Sequence, residues 1–239
     1  MVVCYSHTVV WNKGYTKYTH PSVEKISKTM KMRKIDNFKN WRNAIRRENK
    51  LNGFYNKPKP SGKLAELVGF ALGDGNISNF PRTQRLILTC NANNPGLIER
   101  YKELVTSLLC KPPRVCTVKG TNAVRLDIYR KGISKWLGIP AGNRGGELEN
   151  LIPGWVGKRV SYTISMLRGL YEAEGSLTIS RKSYTYNFQF SNRNKCLLDL
   201  VYDKLTYLGY HPERRTYYIR LRRKNEVERF KKLIKYRVY

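Results

Sequence analysis

The chain has 239 residues, with 46 Lys+Arg against 17 Asp+Glu and a formal net charge of +29. A hydrophobic content of 41% is enough for one large or two small cores and excludes wholesale disorder. The charge surplus repels itself unless a polyanion neutralises it, which makes nucleic acid the leading partner; no apolar run approaches the roughly 18 residues of a membrane span, and residues 1–11 lack the charged leader and apolar stretch of a secretory signal.

In chain order, residues 1–62 form a basic extension that ends in Lys57-Pro58-Lys59-Pro60-Ser61-Gly62, a stretch that reads as a linker. Within it Val23, Ile26 and Met30, then Ile35, Phe38, Trp41 and Ile45, predict two short amphipathic helices joined near residues 32–36. This is compatible with a helix-turn-helix in which Phe38 and Trp41 are core residues and Lys25, Lys28, Lys31, Arg33 and Lys34 form a solvated or phosphate-contacting face. Two longer segments follow, 63–150 and 151–239. Laying residues 64–109 over 164–209 at a constant offset of 100 aligns Leu67 with Leu167, Gly69 with Gly169, Asp74 with Glu174, Gly75 with Gly175 and Asn94 with Asn194. The chain is read as a duplicated unit of roughly 90 residues behind the extension.

Each unit opens with an apolar-rich helix, Lys63 to Gly75 and Tyr162 to Gly175, ending at a glycine suited to the residue just past a helix C-terminus. A strand comes next. Over residues 183–191, Tyr184, Tyr186, Phe188 and Phe190 alternate with Ser183, Thr185, Asn187, Gln189 and Ser191, and in the first unit Leu86, Leu88 and Cys90 alternate with Thr83, Arg85, Ile87 and Thr89. Asn94 and Asn194 then stand where N-caps belong, ahead of Leu97, Ile98, Tyr101, Leu104, Val105, Leu108 and of Leu197, Leu198, Val201, Leu205, Leu208 at helical spacing. Further alternation at 115–119, 124–129 and 216–222 and closing helices near 133–137 and 226–235 give helix, strands, helix, strands, helix, an α+β order. Five cysteines without a C-x-x-C pair and three scattered histidines argue against disulfides and structural zinc, and for a reduced intracellular compartment, cytoplasmic or organellar.

The sharpest feature is the pair Leu67-Val68-Gly69-Phe70-Ala71-Leu72-Gly73-Asp74-Gly75 and Leu167-Arg168-Gly169-Leu170-Tyr171-Glu172-Ala173-Glu174-Gly175. Gly69 with Gly73, and Gly169 with Ala173, place small residues on one helical face, which lets two helix backbones approach closely. If the units pack through those faces, Asp74 and Glu174 meet at the helix ends. An acid there opposes the helix dipole by roughly 0.3–1 kcal/mol, and two adjacent carboxylates repel further. A divalent cation with oxygen ligands relieves both, and Mg²⁺ is commonly held by one or two carboxylates together with substrate phosphates. Paired carboxylates beneath a phosphodiester are an arrangement for metal-assisted hydrolysis. Glu172, whose partner position is Leu72, is read as structural.

These motifs resemble those of the LAGLIDADG homing endonucleases in their single-chain, two-repeat form, over about residues 63–239. The resemblance implies two pseudo-symmetric αββαββα units packed through the motif helices, with antiparallel sheets forming a DNA-binding saddle and both strands cut within a long, nearly palindromic site. It implies that Asp74 and Glu174 are catalytic metal-binding acids, with Gly73 and Ala173 beside them in the metal set, and that Gly69, Gly73, Gly169 and Ala173 are helix-packing positions. The implied ion is Mg²⁺, with Mn²⁺ or Ca²⁺ able to occupy the same sites, and the implied state is a monomer, intron-encoded. A basic or polar residue is also implied at the corner after the second strand; here the corners hold Asn192 with Arg193, and Ala92 with Asn93, so Arg193 is the one candidate electrostatic helper. Trp11-Asn12-Lys13-Gly14 with residues 21–28 looks like the small nuclease-associated modules that accompany some of these enzymes.

On the polar strand faces, Thr83, Arg85, Thr89, Ser183, Thr185, Asn187 and Gln189 are candidates for base edges, and Lys119, Arg125, Tyr218, Arg220 and Arg222 add contacts that serve bases or phosphates. The leading function is therefore a site-specific, Mg²⁺-dependent DNA endonuclease with double-stranded DNA as partner and no membrane. The alternative is a binding protein on the same fold: an RNA-splicing maturase acting on its host intron RNA, or a regulator that has lost cleavage. A ribosome-associated basic protein is a third reading, which leaves duplicated acidic helix ends unexplained.

Overall fold

The computed structural model describes residues 12–36, 38–47, 57–142, 152–180 and 182–239. Trp11 of the Trp11–Gly14 motif, Cys4 and His7 lie outside the described residues. The chain divides into two compact units, residues 1–53 and 54–239.

In the smaller unit the two predicted helices form as α1 (Pro21–Met32) and α2 (Lys39–Arg47). Pro21 opens α1 at a position where its missing N–H costs nothing, and Lys28 reaches back to Glu24 at 2.7 Å, an i,i+4 pair. The reading of Phe38 and Trp41 as core is corrected: they are 64% and 58% exposed and make an edge-on contact with each other, 6.5 Å between ring centroids. α1 has no buried residue. Two helices this short enclose too little volume to bury the side chains of either.

The larger unit holds the duplication. Its first half runs α3 (Gly62–Asp74), β1 (Gly75–Phe80), β2 (Thr83–Asn91), α4 (Pro95–Leu109), β3 (Arg114–Thr117), β4 (Ala123–Arg130) and α5 (Ile133–Leu137). The second half repeats the order as α6 (Val160–Glu174), β5 (Gly175–Ser180), β6 (Thr185–Ser191), α7 (Lys195–Tyr207), β7 (Glu213–Arg214), β8 (Tyr218–Leu221) and α8 (Lys224–Leu233), after a short 3-10 turn at Val156–Lys158. Each half is thus αββαββα, and each contributes one four-stranded antiparallel sheet, ordered β1-β2-β4-β3 and β5-β6-β8-β7. Among the described residues no helix is long and apolar enough to cross a membrane.

Local chemistry sets the helix starts. Ser61 Oγ accepts from Leu64 N–H, Asn94 Oδ1 from Leu97 N–H and Asn194 Oδ1 from Leu197 N–H, so α3, α4 and α7 all begin at side-chain caps. The Lys57–Gly62 stretch is not a free linker: Pro58 is buried against Leu64, Leu67, Leu86 and Trp136. The strand predicted from residue 183 begins at Thr185 instead; Ser183 lies in the preceding turn, and Tyr184 is 85% exposed with φ 47°. Phe188 and Phe190 do face inward, where Tyr171 and Phe230 complete an aromatic cluster with centroids 4.7–5.6 Å apart.

The most extensive contact between any two helices is that of α3 with α6. A Cβ built on Gly69 would lie 2.1 Å from the carbonyl oxygen of Met166, one on Gly169 2.1 Å from that of Glu66, and one on Gly73 2.6 Å from Cβ of Ala173. Glycine is required at the first two positions because the opposing atom is backbone, which cannot rotate away. Along one edge of this seam, Arg100 forms a two-pronged pair with Glu66 at 2.7 Å, and Arg168 bridges from α6 to Glu66 and to the carbonyl of Val238. The side chain of Glu172 accepts from Arg237 N–H and the Tyr239 hydroxyl, both at 2.7 Å. Gly75 and Gly175 stand just past the helix C-termini, as the sequence predicts, and the structure gives the reason for glycine there. Gly75 has φ −104° and Gly175 φ −84°, both extended, and a Cβ on either would strike the carbonyl oxygen of Ala71 or Tyr171 at 2.5 and 2.2 Å. The helix passes straight into a strand, and only a residue without a side chain fits at the bend. Gly169→Ala is expected to cost about 3 kcal/mol or more by forcing the backbones apart, lowering Tm by roughly 6–12 °C in a thermal melt; an unchanged Tm would contradict the close seam.

Candidate metal-binding and nucleic-acid site

Because α3 and α6 are locked side by side and both end at the same level, their last residues converge. Asp74 and Glu174 are each half-buried, and each carboxyl has its proton affinity raised. For Asp74, burial and then the charge of Glu174 push the pKa up to about 7. Burial likewise raises Glu174, countered by the Asn192 side-chain amide, which donates to Oε1 at 3.2 Å. Asp74 has no hydrogen-bond or ion-pair partner among the described residues. Cys90 sits close by, its thiol pushed up to about 12 by burial and by the charge of Asp74. Gly73 and Ala173 lie at the same end of the seam: a Cβ on Gly73 would also come within 3.1 Å of Glu174 Cγ.

Asn192 is held on three sides. Its backbone N–H donates to the carbonyl of Tyr217 at 2.9 Å, its Oδ1 accepts from Asn194 N–H at 2.8 Å, and its side-chain Nδ2 donates to Glu174. Glu174, Ser191, Asn192, Arg193 and Tyr217 line an open cavity of about 900 Å³. Arg193 therefore shares a cavity with one acid. The first half has Ala92 at the corresponding corner and supplies no such amide to Asp74.

The residue set fits a hard divalent cation better than a soft one. The two neighbouring carboxylates offer oxygen donors, and neither is ion-paired to a basic side chain among the described residues. Oxygen ligation by two acids, completed by main-chain carbonyls such as those of Gly73 and Ala173 and by water or phosphate, is the habit of Mg²⁺.

The polar strand faces are arranged in two fields. On the first sheet, register places Arg85 opposite Tyr129 and Ser78, and Thr89 opposite Arg125; Thr83 starts β2, and Lys119 is exposed in the β3–β4 turn. The Arg85 guanidinium lies over the rings of Phe80 and Tyr129, 5.6 and 6.0 Å from their centroids. On the second sheet Gln189 is opposite Arg220, Ser191 opposite Tyr218 and Thr185 opposite Ser180, with Asn187 between. Two of the sequence-predicted residues fall off the strands: Ser183 bonds to the Ser180 and Thr185 hydroxyls in a turn, and Arg222 lies just past β8. Arg220 is engaged with Glu213 at 2.9 Å. Sequence reasoning missed Asn76, Ser78, Ser176, Thr178 and Ser180, which belong to the edge strands β1 and β5. The signal was present, since these residues alternate with Ile77, Leu177 and Ile179 directly after each motif.

No protein-family model matches the sequence, and no curated protein does. Solved structures do match. Full-length DUF199/WhiA from Thermatoga maritima superposes with TM-score 0.54 at 18% identity, over 75% of this chain and 57% of that one. The N-terminal LAGLIDADG domain of DUF199/WhiA gives 0.49 at 18% identity, over 75% and 84% of the two chains. The homing endonuclease I-DmoI, in complex with DNA and Mn, gives 0.49 at 20% identity, over 72% and 96%. Two αββαββα halves joined through glycine-faced helices, each ending in an acid, define the LAGLIDADG architecture, and this chain has that fold. At these identities the likeness speaks to the fold, which by itself does not fix an activity.

A pH measurement tests the burial of Asp74 beside Glu174. Asp74 titrates near its ordinary value of 3.8 when unfolded and at about 7 when folded, so the native state binds its proton more tightly and loses stability as pH rises between those values. In chelator-containing buffer Asp74→Asn is therefore expected to raise Tm above that of the parent at about pH 8 and to leave it unchanged at about pH 4. Equal Tm values at both pH values would show that Asp74 is neither buried nor crowded as the structure has it.

Proposed function

We propose that the protein is a metal-dependent endonuclease acting on double-stranded DNA at a specific site. The observation that carries this reading is the pair of half-buried, neighbouring carboxylates at the ends of two packed helices, each leading directly into a four-stranded sheet that carries arginine or amide side chains. Two adjacent acids destabilise a protein that only binds; they are useful to one that holds a cation against a phosphodiester. The motif resemblance supports the same role for Asp74 and Glu174, with Mg²⁺ as the ion. A bound divalent cation supplies Lewis acidity towards the phosphate. The protein's own residues do the rest: Asp74 and Glu174 hold the ion, Asn192 fixes the Glu174 carboxylate, Arg193 offsets charge on the phosphate, and the strand faces set register on the duplex.

The second reading is a non-cleaving protein on this fold, a maturase or a regulator. The likeness to DUF199/WhiA favours keeping it, because it shows that the architecture is not confined to proteins named as endonucleases. One experiment separates the two. Cleaved products are selected from a randomised duplex library in Mg²⁺, and the parent is compared with Asp74→Asn and Glu174→Gln. Each substitution is expected to lower cleavage by about 100-fold or more while duplex affinity stays within a few-fold. A parent that binds duplex and never cuts would defeat the endonuclease reading, and variants that cut as well as the parent would remove the catalytic assignment of Asp74 and Glu174.

A further inference from the structure

The two corners that follow β2 and β6 are built alike. Ala92 N–H donates to the carbonyl of Asn122 at 2.8 Å, tying the first corner to the β3–β4 turn, just as Asn192 N–H ties the second to Tyr217 in the β7–β8 turn. Their side chains can therefore be compared place by place. In the second half Arg193, Lys195, Arg214, Arg215, Thr216 and Tyr217 line a concavity of about 650 Å³. It adjoins the Glu174 cavity, with which it shares Arg193 and Tyr217. In the first half the corner offers Ala92 and Asn93, Pro95 stands where the second has Lys195, and the turn carries Lys119, Gly120, Thr121 and Asn122. One cation faces four.

Of those four, Arg214 is held by Asp199 at 2.8 Å. Arg193, Lys195 and Arg215 are exposed and have no acidic partner among the described residues. Three uncompensated cations around one hollow repel each other, and an anion with several oxygens relieves that repulsion while accepting from the guanidinium and ammonium donors. Thr216 and Tyr217 add neutral hydroxyl donors on the same wall. Successive phosphates of a nucleic-acid strand meet these requirements, and the hollow's continuity with the Glu174 cavity places them on the flank of the candidate metal site.

Resting on the reading of double-stranded DNA as partner, we propose that this hollow is a backbone clamp, built into the second half alone, which grips one DNA strand beside Glu174 and anchors the protein to one half-site more strongly than the other. Arg215 and Lys195 are its main phosphate contacts and Arg214 its braced wall. The first half engages its half-site through the sheet face, with Lys119 as the lone cation at the turn.

The test measures binding of the full chain to a duplex of about 40 base pairs in chelator, across a salt series. Lys195→Ala/Arg215→Ala is expected to reduce the slope of log Kobs against log salt by about 1.8, for two lost phosphate contacts. Lys119→Ala is expected to reduce it by about 0.9 at most. Both altered residues of the double variant are exposed, so folding is retained, and the Tm confirms it. A steep parental slope that the double variant leaves unchanged, or an equal fall for Lys231→Ala/Lys232→Ala on α8, would overturn the clamp and leave the DNA reading standing. A flat parental slope would overturn both. Tighter capture of double-stranded RNA, lost in the double variant, would overturn the assignment to DNA. A fall in slope in a protein whose parent form binds duplex and never cuts it in Mg²⁺ would uphold the clamp and remove the endonuclease reading.

Discussion

Backbone-to-backbone contact between α3 and α6 is the constraint from which the rest follows. With Gly69 against the carbonyl of Met166 and Gly169 against that of Glu66, the two helices are closer than any side-chain interface permits, and their ends cannot slide relative to one another. That closeness fixes where the polypeptide leaves each helix, and hence where Asp74 and Glu174 stand and where each sheet begins. Gly75 and Gly175 complete the geometry by turning the chain into a strand without room for a Cβ. The seam is braced at its edge by buried Glu66 and Arg168 with the partly exposed Arg100 in an ion-paired group, and by buried Glu172 held through hydrogen bonds. Paired buried charges contribute little net stability but penalise misalignment heavily, which suits a seam whose register sets the separation of two acids.

Pseudo-symmetry is stricter in the backbone than in the side chains. Both halves repeat the same elements, strand order, asparagine caps on α4 and α7 and corner hydrogen bonds, yet the environments of the two acids differ. Glu174 has an amide donor and a cation-lined cavity; Asp74 has burial and a neighbouring thiol. The cores diverge as well, with an aromatic cluster around Tyr171 in the second half and a single close Phe70–Tyr101 pair, 3.9 Å between centroids, in the first. Duplication followed by separate change leaves the shared seam intact, because both halves depend on it, and lets each outer surface adapt to its own half of a partner.

Much of this was legible in the residues. The offset of 100 revealed the duplication, alternation revealed β2 and most of β6, and Asn94 and Asn194 marked their helix starts. The misreadings have local causes. Tyr184 continued an alternating pattern into a turn, because periodicity carries no information about where a strand stops. Phe38 and Trp41 sit on an apolar stripe that no described residue covers. The edge strands β1 and β5 were passed over because each is a short alternation directly abutting a helix.

The sequence by itself determined the secondary-structure order, the repeat, the small-residue helix faces and the identity of the paired acids, since these depend on spacing and side-chain type along a local stretch. Only the tertiary structure decided that the faces meet in backbone contact, that Asn192 attends one acid and nothing matching attends the other, and that Arg193, Lys195, Arg214 and Arg215 gather round one hollow. Those facts join residues far apart in the chain, and such meetings are set by packing, which no local pattern encodes.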